Sequence, residues 1–77
     1  MKATETGLKG CFILEPKLYE DSRGYFFEPF NRNRFCKAIG RQVDFVQDNQ
    51  SFSKKGVIRA LHYQVGDHAQ AKLVRVL

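Results

Sequence analysis

The fold is constrained most by two apolar runs in the last third of the chain, residues 57–64 and residues 70–77. Each run is rich in β-branched and aliphatic side chains, and the Gly66-Asp67 pair between them has the chemistry of a turn. The pattern therefore predicts two β-strands joined by a short connection.

Three basic side chains lie inside these runs: Arg59, His62 and Lys72. Burying a cation without a partner is costly, so a strand that keeps cations near its core commonly holds an anion or carries out proton chemistry. The alternative is a half-buried sheet from which all three side chains point into solvent. Residue type alone favours this second interpretation.

Size and charge narrow the possible functions. The chain has 77 residues, enough for one small domain, and a core of that size is marginal without a metal, a disulfide or a partner. A net charge of +5 favours anionic partners such as nucleotides, sugar phosphates or nucleic acid. The Lys and Arg residues are dispersed along the sequence, which weighs against nucleic acid.

Cys11 and Cys36 form no C-x-x-C motif, and no His lies at a zinc-binding distance in sequence from either. This predicts two reduced thiols in a cytoplasmic protein. The first residues contain no apolar segment long enough for a signal peptide or a membrane span, so we expect neither.

The first half of the chain predicts short strands and tight turns. Residues 11–14 are typical of a strand that ends at Glu15-Pro16, and residues 17–20 of an edge segment after the proline. Residues 21–24 have turn chemistry, and residues 25–30 predict a further strand.

Alternation along residues 25–30 places Glu28 between Phe26 and Phe30 on one face. This carboxylate has two interpretations. Either the strand lies at a sheet edge and Glu28 deters pairing, or Glu28 makes a polar contact to a ligand or a neighbouring subunit.

A single helix is predicted near residues 31–39. Asn31 can cap its N-terminus, Phe35 and Ile39 lie one turn apart, and Gly40 suits the position after the last turn. So short a helix depends on packing for its stability.

Residues 43–53 predict another strand, in which Gln47 and Asn49 continue an apolar face. The two amides can form the polar floor of a pocket, or they can be core amides satisfied by backbone groups. The sequence is equally compatible with both. Because residues 72–77 still have strand character, we expect the chain to be part of a larger domain.

Four motifs occur in a fixed order: Asp21-x-Arg23-Gly24-Tyr25-Phe26-x-Glu28, Phe45-Val46-Gln47-Asp48-Asn49-x-Ser51-x-Ser53, Arg59-x-Leu61-His62-Tyr63-Gln64 and Ala69-Gln70-x-Lys72-Leu73-Val74-Arg75. Their order and spacing resemble the N-terminal portion of the dTDP-4-dehydrorhamnose 3,5-epimerase family, from about Gly10 to Leu77. The resemblance implies a mainly β fold with one short helix. Residues 1–77 would form a single, partial cupin-type β-sandwich (jelly roll).

The family resemblance also implies an isomerase of dTDP-L-rhamnose biosynthesis, which converts dTDP-4-dehydro-6-deoxyglucose to dTDP-4-dehydro-L-rhamnose. It implies a homodimer with strand exchange, no cofactor and no metal. His62 and His68 lack the close His-x-His pairing of metal-binding cupins.

By the same resemblance, His62 is the general base that removes the C3 and C5 protons, and Lys72 stabilises the enolate oxygen. The other residues that match family positions are expected to bind substrate: Arg23, Phe26, Glu28, Gln47, Asn49 and Arg59.

The chain departs from the family pattern at Ala60, where the family has Gly. If Arg59 and His62 serve one pocket, we expect a bend in the strand near this position. In addition, no Tyr of this chain can be assigned as the family's partner acid.

Three alternatives therefore stay open: binding or isomerisation of a nucleotide sugar without epimerisation, a basic β-domain for nucleic acid, and a non-functional fragment. Exposed edges and apolar faces of a partial sandwich also predict self-association.

Overall fold

A computed structural model describes all 77 residues. In chain order the elements are β1 (Lys2–Glu5), β2 (Phe12–Glu15), β3 (Leu18–Asp21), β4 (Gly24–Phe27), α1 (Arg32–Ile39) and a 3-10 turn at Gly66–His68. The chain divides into two compact units, Met1–Asp44 and Phe45–Leu77. The four strands and the helix belong to the first unit, and the 3-10 turn belongs to the second.

Strands β1 and β2 form an antiparallel pair in which Lys2 lies opposite Glu15 and Glu5 opposite Phe12. The connection between them is closed by hydrogen bonds, from Thr6 N–H to the Cys11 carbonyl (2.8 Å) and from Gly10 N–H to Glu5 Oε1 (2.9 Å). The strand predicted near residues 11–14 is confirmed as β2. Strand β1 was not predicted, because its short polar sequence becomes a strand only through pairing with β2.

Strands β3 and β4 form a hairpin with a two-residue loop, because Asp21 lies opposite Gly24. Arg23 N–H donates to Asp21 Oδ1 at 2.8 Å, and Gly24 has a φ of 129°, which a side chain would disfavour. The turn predicted over residues 21–24 is confirmed, and the edge segment predicted over residues 17–20 is β3.

Strand β4 ends at Phe27, so the prediction of a strand continuing to Phe30 is wrong. Pro29 is the physical reason: it has no N–H to offer a ladder, and it restricts the backbone of Glu28. Glu28 and Phe30 therefore lie beyond the strand, in the segment that leads to the helix.

Helix α1 confirms the predicted helix and both of its caps. The Asn31 side chain accepts from Arg34 N–H at 3.1 Å, and Gly40, with a φ of 72°, donates its N–H to the Cys36 carbonyl at 2.9 Å. The buried apolar core consists of Phe35 and Cys36. The Phe30 ring extends this core, since its centroid lies 5.5 Å from that of Phe35.

The strands predicted over residues 43–53, 57–64 and 70–77 are wrong for this chain, because those residues form no ladder. A strand needs a neighbouring strand for its backbone hydrogen bonds, whereas β-branched side chains supply only a preference for extended backbone. The turn predicted at Gly66-Asp67 is present, with a hydrogen bond from Ala69 N–H to the Gly66 carbonyl (3.1 Å). A further turn is closed by Val57 N–H, which donates to the Lys54 carbonyl (3.1 Å). The bend expected near Ala60 stays a prediction.

Helix α1 has eight residues and is too short to cross a membrane.

Candidate functional site

The predicted site residues fall into both units, and each group is described within its own unit. Arg23, Phe26 and Glu28 belong to the first unit, on or just after the β3–β4 hairpin. Gln47, Asn49, Arg59, His62 and Lys72 belong to the second unit.

At the tip of the hairpin, Arg23 is held by Asp21. Its Nη2 lies 2.6 Å and its Nε 3.1 Å from Asp21 Oδ2, which makes a two-pronged ion pair. The Arg23 guanidinium, followed by the Arg23 backbone N–H, lowers the pKa of Asp21, while the carboxylate raises the pKa of Arg23. The Arg23 and Asp21 side chains are 88% and 50% exposed, so the pair orients the guanidinium more than it stabilises the fold.

Phe26 presents an exposed ring next to this ion pair. It lies directly opposite Tyr19 in the hairpin, with ring centroids 6.5 Å apart, and 69% of Phe26 is exposed. An open depression of about 410 Å³ lies here, lined by Tyr19, Glu20, Asp21, Arg23, Gly24, Tyr25 and Phe26. An aromatic face beside a guanidinium can stack a base and bind a phosphate.

Glu28 is half-buried and pairs with Arg34 at the start of the helix, with Nη1 and Oε1 3.0 Å apart. Within the chain, Glu28 therefore pairs with Arg34, which the sequence did not indicate as its partner. The Glu-to-Arg spacing of six residues gives no helical or strand signal, so only the folded connection reveals the pair.

In the second unit, Gln47 Nε2 donates to Asn49 Oδ1 at 3.3 Å. Both residues are exposed, so the interpretation as core amides is wrong for this chain. The pair leaves Gln47 Oε1 as an acceptor and Asn49 Nδ2 as a donor, which together suit a ligand with both hydrogen-bond functions.

Arg59 is anchored by the preceding turn. Its Nε donates to Ser53 Oγ at 2.6 Å and its Nη2 to the Phe52 carbonyl at 3.1 Å. Ser53 belongs to one of the recognised motifs, but the sequence alone did not pair it with Arg59.

His62 and Lys72, ten residues apart, are neighbours: Lys72 Nζ donates to the His62 carbonyl at 3.5 Å. The structure therefore brings together the two residues predicted to be catalytic. Arg59, His62 and Lys72 are all exposed, as the solvent-facing interpretation predicted. The contact joins the Lys72 ammonium to the backbone of His62. An accessible imidazole can remove a proton, and an ammonium can stabilise the resulting anion.

No group of three or more His, Cys, Asp or Glu side chains lies close enough together to hold a metal ion. Both cysteines are free thiols, Cys11 exposed and Cys36 buried.

Comparison with known proteins identifies the family and the fold of the chain. A family model described as dTDP-4-dehydrorhamnose 3,5-epimerase matches residues 5–77. A crystal structure of dTDP-4-dehydrorhamnose 3,5-epimerase from Elizabethkingia anophelis superposes with a TM-score of 0.80 and 51% identity, covering 90% of this chain and 38% of that one. The chain is thus part of a mainly β fold of cupin type with one short helix.

Relatives named dTDP-4-dehydrorhamnose 3,5-epimerase include proteins from Salmonella typhimurium (53% identity over 75 residues) and Methanothermobacter thermautotrophicus (51% over 73 residues). These alignments cover 97% and 95% of this chain, respectively, but only 41% and 38% of the relatives. The chain belongs to the dTDP-4-dehydrorhamnose 3,5-epimerase family, and it spans about two fifths of the length of these members.

Proposed function

We propose that this chain provides the base and the substrate-binding residues of a nucleotide-sugar 3,5-epimerase. The reaction converts dTDP-4-dehydro-6-deoxyglucose to dTDP-4-dehydro-L-rhamnose in dTDP-L-rhamnose biosynthesis. The observation that carries the proposal is the contact of Lys72 Nζ with the His62 carbonyl at 3.5 Å, within a chain of this family.

The chemistry starts from the ketone at C4 of the sugar, which makes the protons at C3 and C5 acidic. Neutral His62 accepts one of these protons, since an imidazole is a suitable base near neutral pH. Negative charge then develops on the ketone oxygen, and the ammonium of Lys72 stabilises it. A positioned donor of this kind is worth about 3 kcal/mol of the barrier. An acid on the opposite face, which is not among the residues assigned in this chain, returns a proton to the carbon and completes the inversion, and His62 releases its proton to solvent.

The remaining site residues suit the nucleotide diphosphate. Arg59 carries the charge for the diphosphate, and the Gln47–Asn49 pair provides hydrogen bonds for a polar ligand. On the hairpin, Arg23 and Phe26 offer a cation and a ring, and Glu28 offers an acceptor for a hydroxyl.

The proposal includes a cytoplasmic homodimer that exchanges the hairpin strand, with residues 1–77 as one partial domain. Exposed aromatic side chains support association through the hairpin, because Tyr25 and Phe26 are 67% and 69% exposed. Two free cysteines agree with a reducing compartment. The proposal assigns no nucleic acid, membrane, metal or cofactor to this site.

The test is proton NMR of dTDP-4-dehydro-6-deoxyglucose with this chain in D₂O. The C3 and C5 signals should disappear faster than in a protein-free blank, and His62→Ala should abolish the difference. His68→Ala is the matched control, because it removes the other histidine and should leave exchange unchanged. Exchange that survives His62→Ala would contradict the proposal.

A second candidate is binding of a dTDP-sugar without epimerisation. Its basis is that the six predicted substrate-binding residues all lie in this chain, and the family comparison does not favour it over epimerisation. The same NMR sample separates the two candidates. Line broadening of the thymidine signals of the nucleotide sugar, without loss of the C3 and C5 signals, would support the second.

A further inference from the structure

The guanidinium of Arg59 is held along one of its edges. Nε and Nη2 form that edge, and they donate to Ser53 Oγ at 2.6 Å and to the Phe52 carbonyl at 3.1 Å. A guanidinium has five N–H donors in a rigid plane, so these two bonds fix the direction of the other three. Of these three, one hydrogen of Nη1 and one of Nη2 form a second edge, which suits two oxygens of a phosphate.

The turn between Ser53 and Arg59 makes this arrangement possible. Gly56 takes a φ of 88°, and Val57 N–H donates to the Lys54 carbonyl at 3.1 Å, so the chain reverses between the two residues. The turn carries Lys54 and Lys55 as well, and neither has an acidic partner within salt-bridge distance. Arg59, which follows this turn, is the cation whose guanidinium is fixed, by Ser53 Oγ and the Phe52 carbonyl.

We propose that Ser53 is a positioning residue for Arg59: its hydroxyl fixes the guanidinium so that the free Nη1/Nη2 edge receives the diphosphate of the nucleotide sugar. This inference rests on the proposed function, because it assumes that Arg59 meets a diphosphate. Ser53 itself touches no substrate. Its contribution is to remove rotamer freedom from Arg59 before the ligand arrives, which lowers the entropy cost of binding.

The first part of the test concerns the pair itself and needs no ligand. In ¹H–¹⁵N spectra of this chain, the Arg59 Hε signal, assigned with Arg59→Lys, should exchange slowly with water. Ser53→Ala should speed that exchange by about five- to tenfold, as expected for loss of one net hydrogen bond. Ser53→Thr keeps the hydroxyl and should restore protection, and Ser51→Ala should leave the signal unchanged. A rapidly exchanging Hε in the parent chain would overturn the pairing.

The second part measures affinity for dTDP and for thymidine by titration. Ser53→Ala should weaken dTDP binding about fivefold, leave thymidine binding unchanged, and be rescued by Ser53→Thr to within about twofold. A general loss of structure would weaken both ligands equally, and that result would overturn the positioning role. An unchanged dTDP affinity in Ser53→Ala, with Arg59→Lys impaired, would overturn it as well.

Failure of the proposed function gives a different pattern. If the parent chain binds neither dTDP nor inorganic pyrophosphate, Arg59 has no diphosphate to meet, and both the function and the role of Ser53 are overturned. In that case, comparing the Arg59 Hε exchange rate in Ser53→Ala with that in the parent chain still shows whether the hydrogen bond exists.

Discussion

Arg34, in the first turn of helix α1, donates a hydrogen bond to Glu28 just after strand β4, with Nη1 and Oε1 3.0 Å apart. The pair joins the end of the hairpin to the start of the helix, across Pro29. It therefore helps to fix the position of the Glu28 carboxylate at the end of the hairpin.

We expect Arg34→Ala to change the free energy of unfolding only slightly. The side chains are 69% and 41% exposed, so a double-mutant cycle with Glu28→Gln should give a coupling free energy below about 1 kcal/mol. The measurement is urea titration of the helical circular dichroism. Arg32→Ala, which breaks the comparable ion pair with Asp44 (2.8 Å), is the matched control. A coupling of several kcal/mol would show that the pair is structural.

Protonation of Asp21 should release Arg23. Arg23 lowers the pKa of Asp21 below its ordinary value of 3.8. The ion pair therefore contributes to the stability of the hairpin above that pH. The contribution disappears as the pH falls below 3.8 and through the lowered pKa. A ¹³C titration of the Asp21 carboxyl should show this, and Arg23→Gln should raise the pKa towards the ordinary value. Lys17→Gln removes a different cation of the same hairpin region and should leave the Asp21 titration unchanged.

The two cysteines should differ strongly in reactivity. Cys36 is 7% exposed, accepts from Val43 N–H at 3.4 Å and donates to the Val43 carbonyl at 3.6 Å, whereas Cys11 is exposed. Labelling with a thiol reagent should therefore show one fast and one slow thiol, and Cys11→Ala should remove the fast phase. Equal rates in the parent chain would mean that α1 does not hold Cys36 in place.

Replacing Cys36 by alanine tests the same contact energetically. The variant leaves Val43 N–H without its sulfur partner and removes a buried sulfur, so helix stability should fall by about 1–3 kcal/mol. The measurement is urea titration of the helical circular dichroism. Cys11→Ala should change it by less than about 0.5 kcal/mol, as expected for an exposed site.

Replacing Gly40 should lower helix stability although no atom crowds the position. No atom lies within 4 Å of the position that a Cβ would occupy, so the cost of Gly40→Ala comes only from the φ of 72°. We expect a loss of about 1 kcal/mol in helix stability from thermal melts, with Gly40→Asn less affected. Gly7→Ala is the control, because Gly7 has no positive φ and equally open surroundings. Comparable losses at both glycines would contradict the left-handed cap.

The features that were predictable from sequence are local ones. Asn31 and Gly40 mark the helix, and residues 21–24 mark the hairpin turn, because capping and turn formation depend on residues a few positions apart. The strand predicted over residues 57–64 is wrong because a ladder depends on a distant partner, which no local pattern reports.

In the candidate site, too, some features were predictable from sequence and others depended on the fold. The family motifs named His62 and Lys72, and the structure makes them neighbours. The Ser53–Arg59 and Glu28–Arg34 pairs were not predicted, because each depends on how the chain folds back over six residues. No periodic pattern in the sequence indicates which residues are brought together when the chain folds back.

The β3–β4 hairpin is a ribbon with aromatic rings on both sides. Tyr19 and Phe26 pair on one side, while Tyr25 and Phe27 pair on the other with centroids 5.9 Å apart. A flat partner that covered one side would leave the other pair of rings in water. Burying both pairs of rings would therefore take two apolar walls, one against each side of the ribbon.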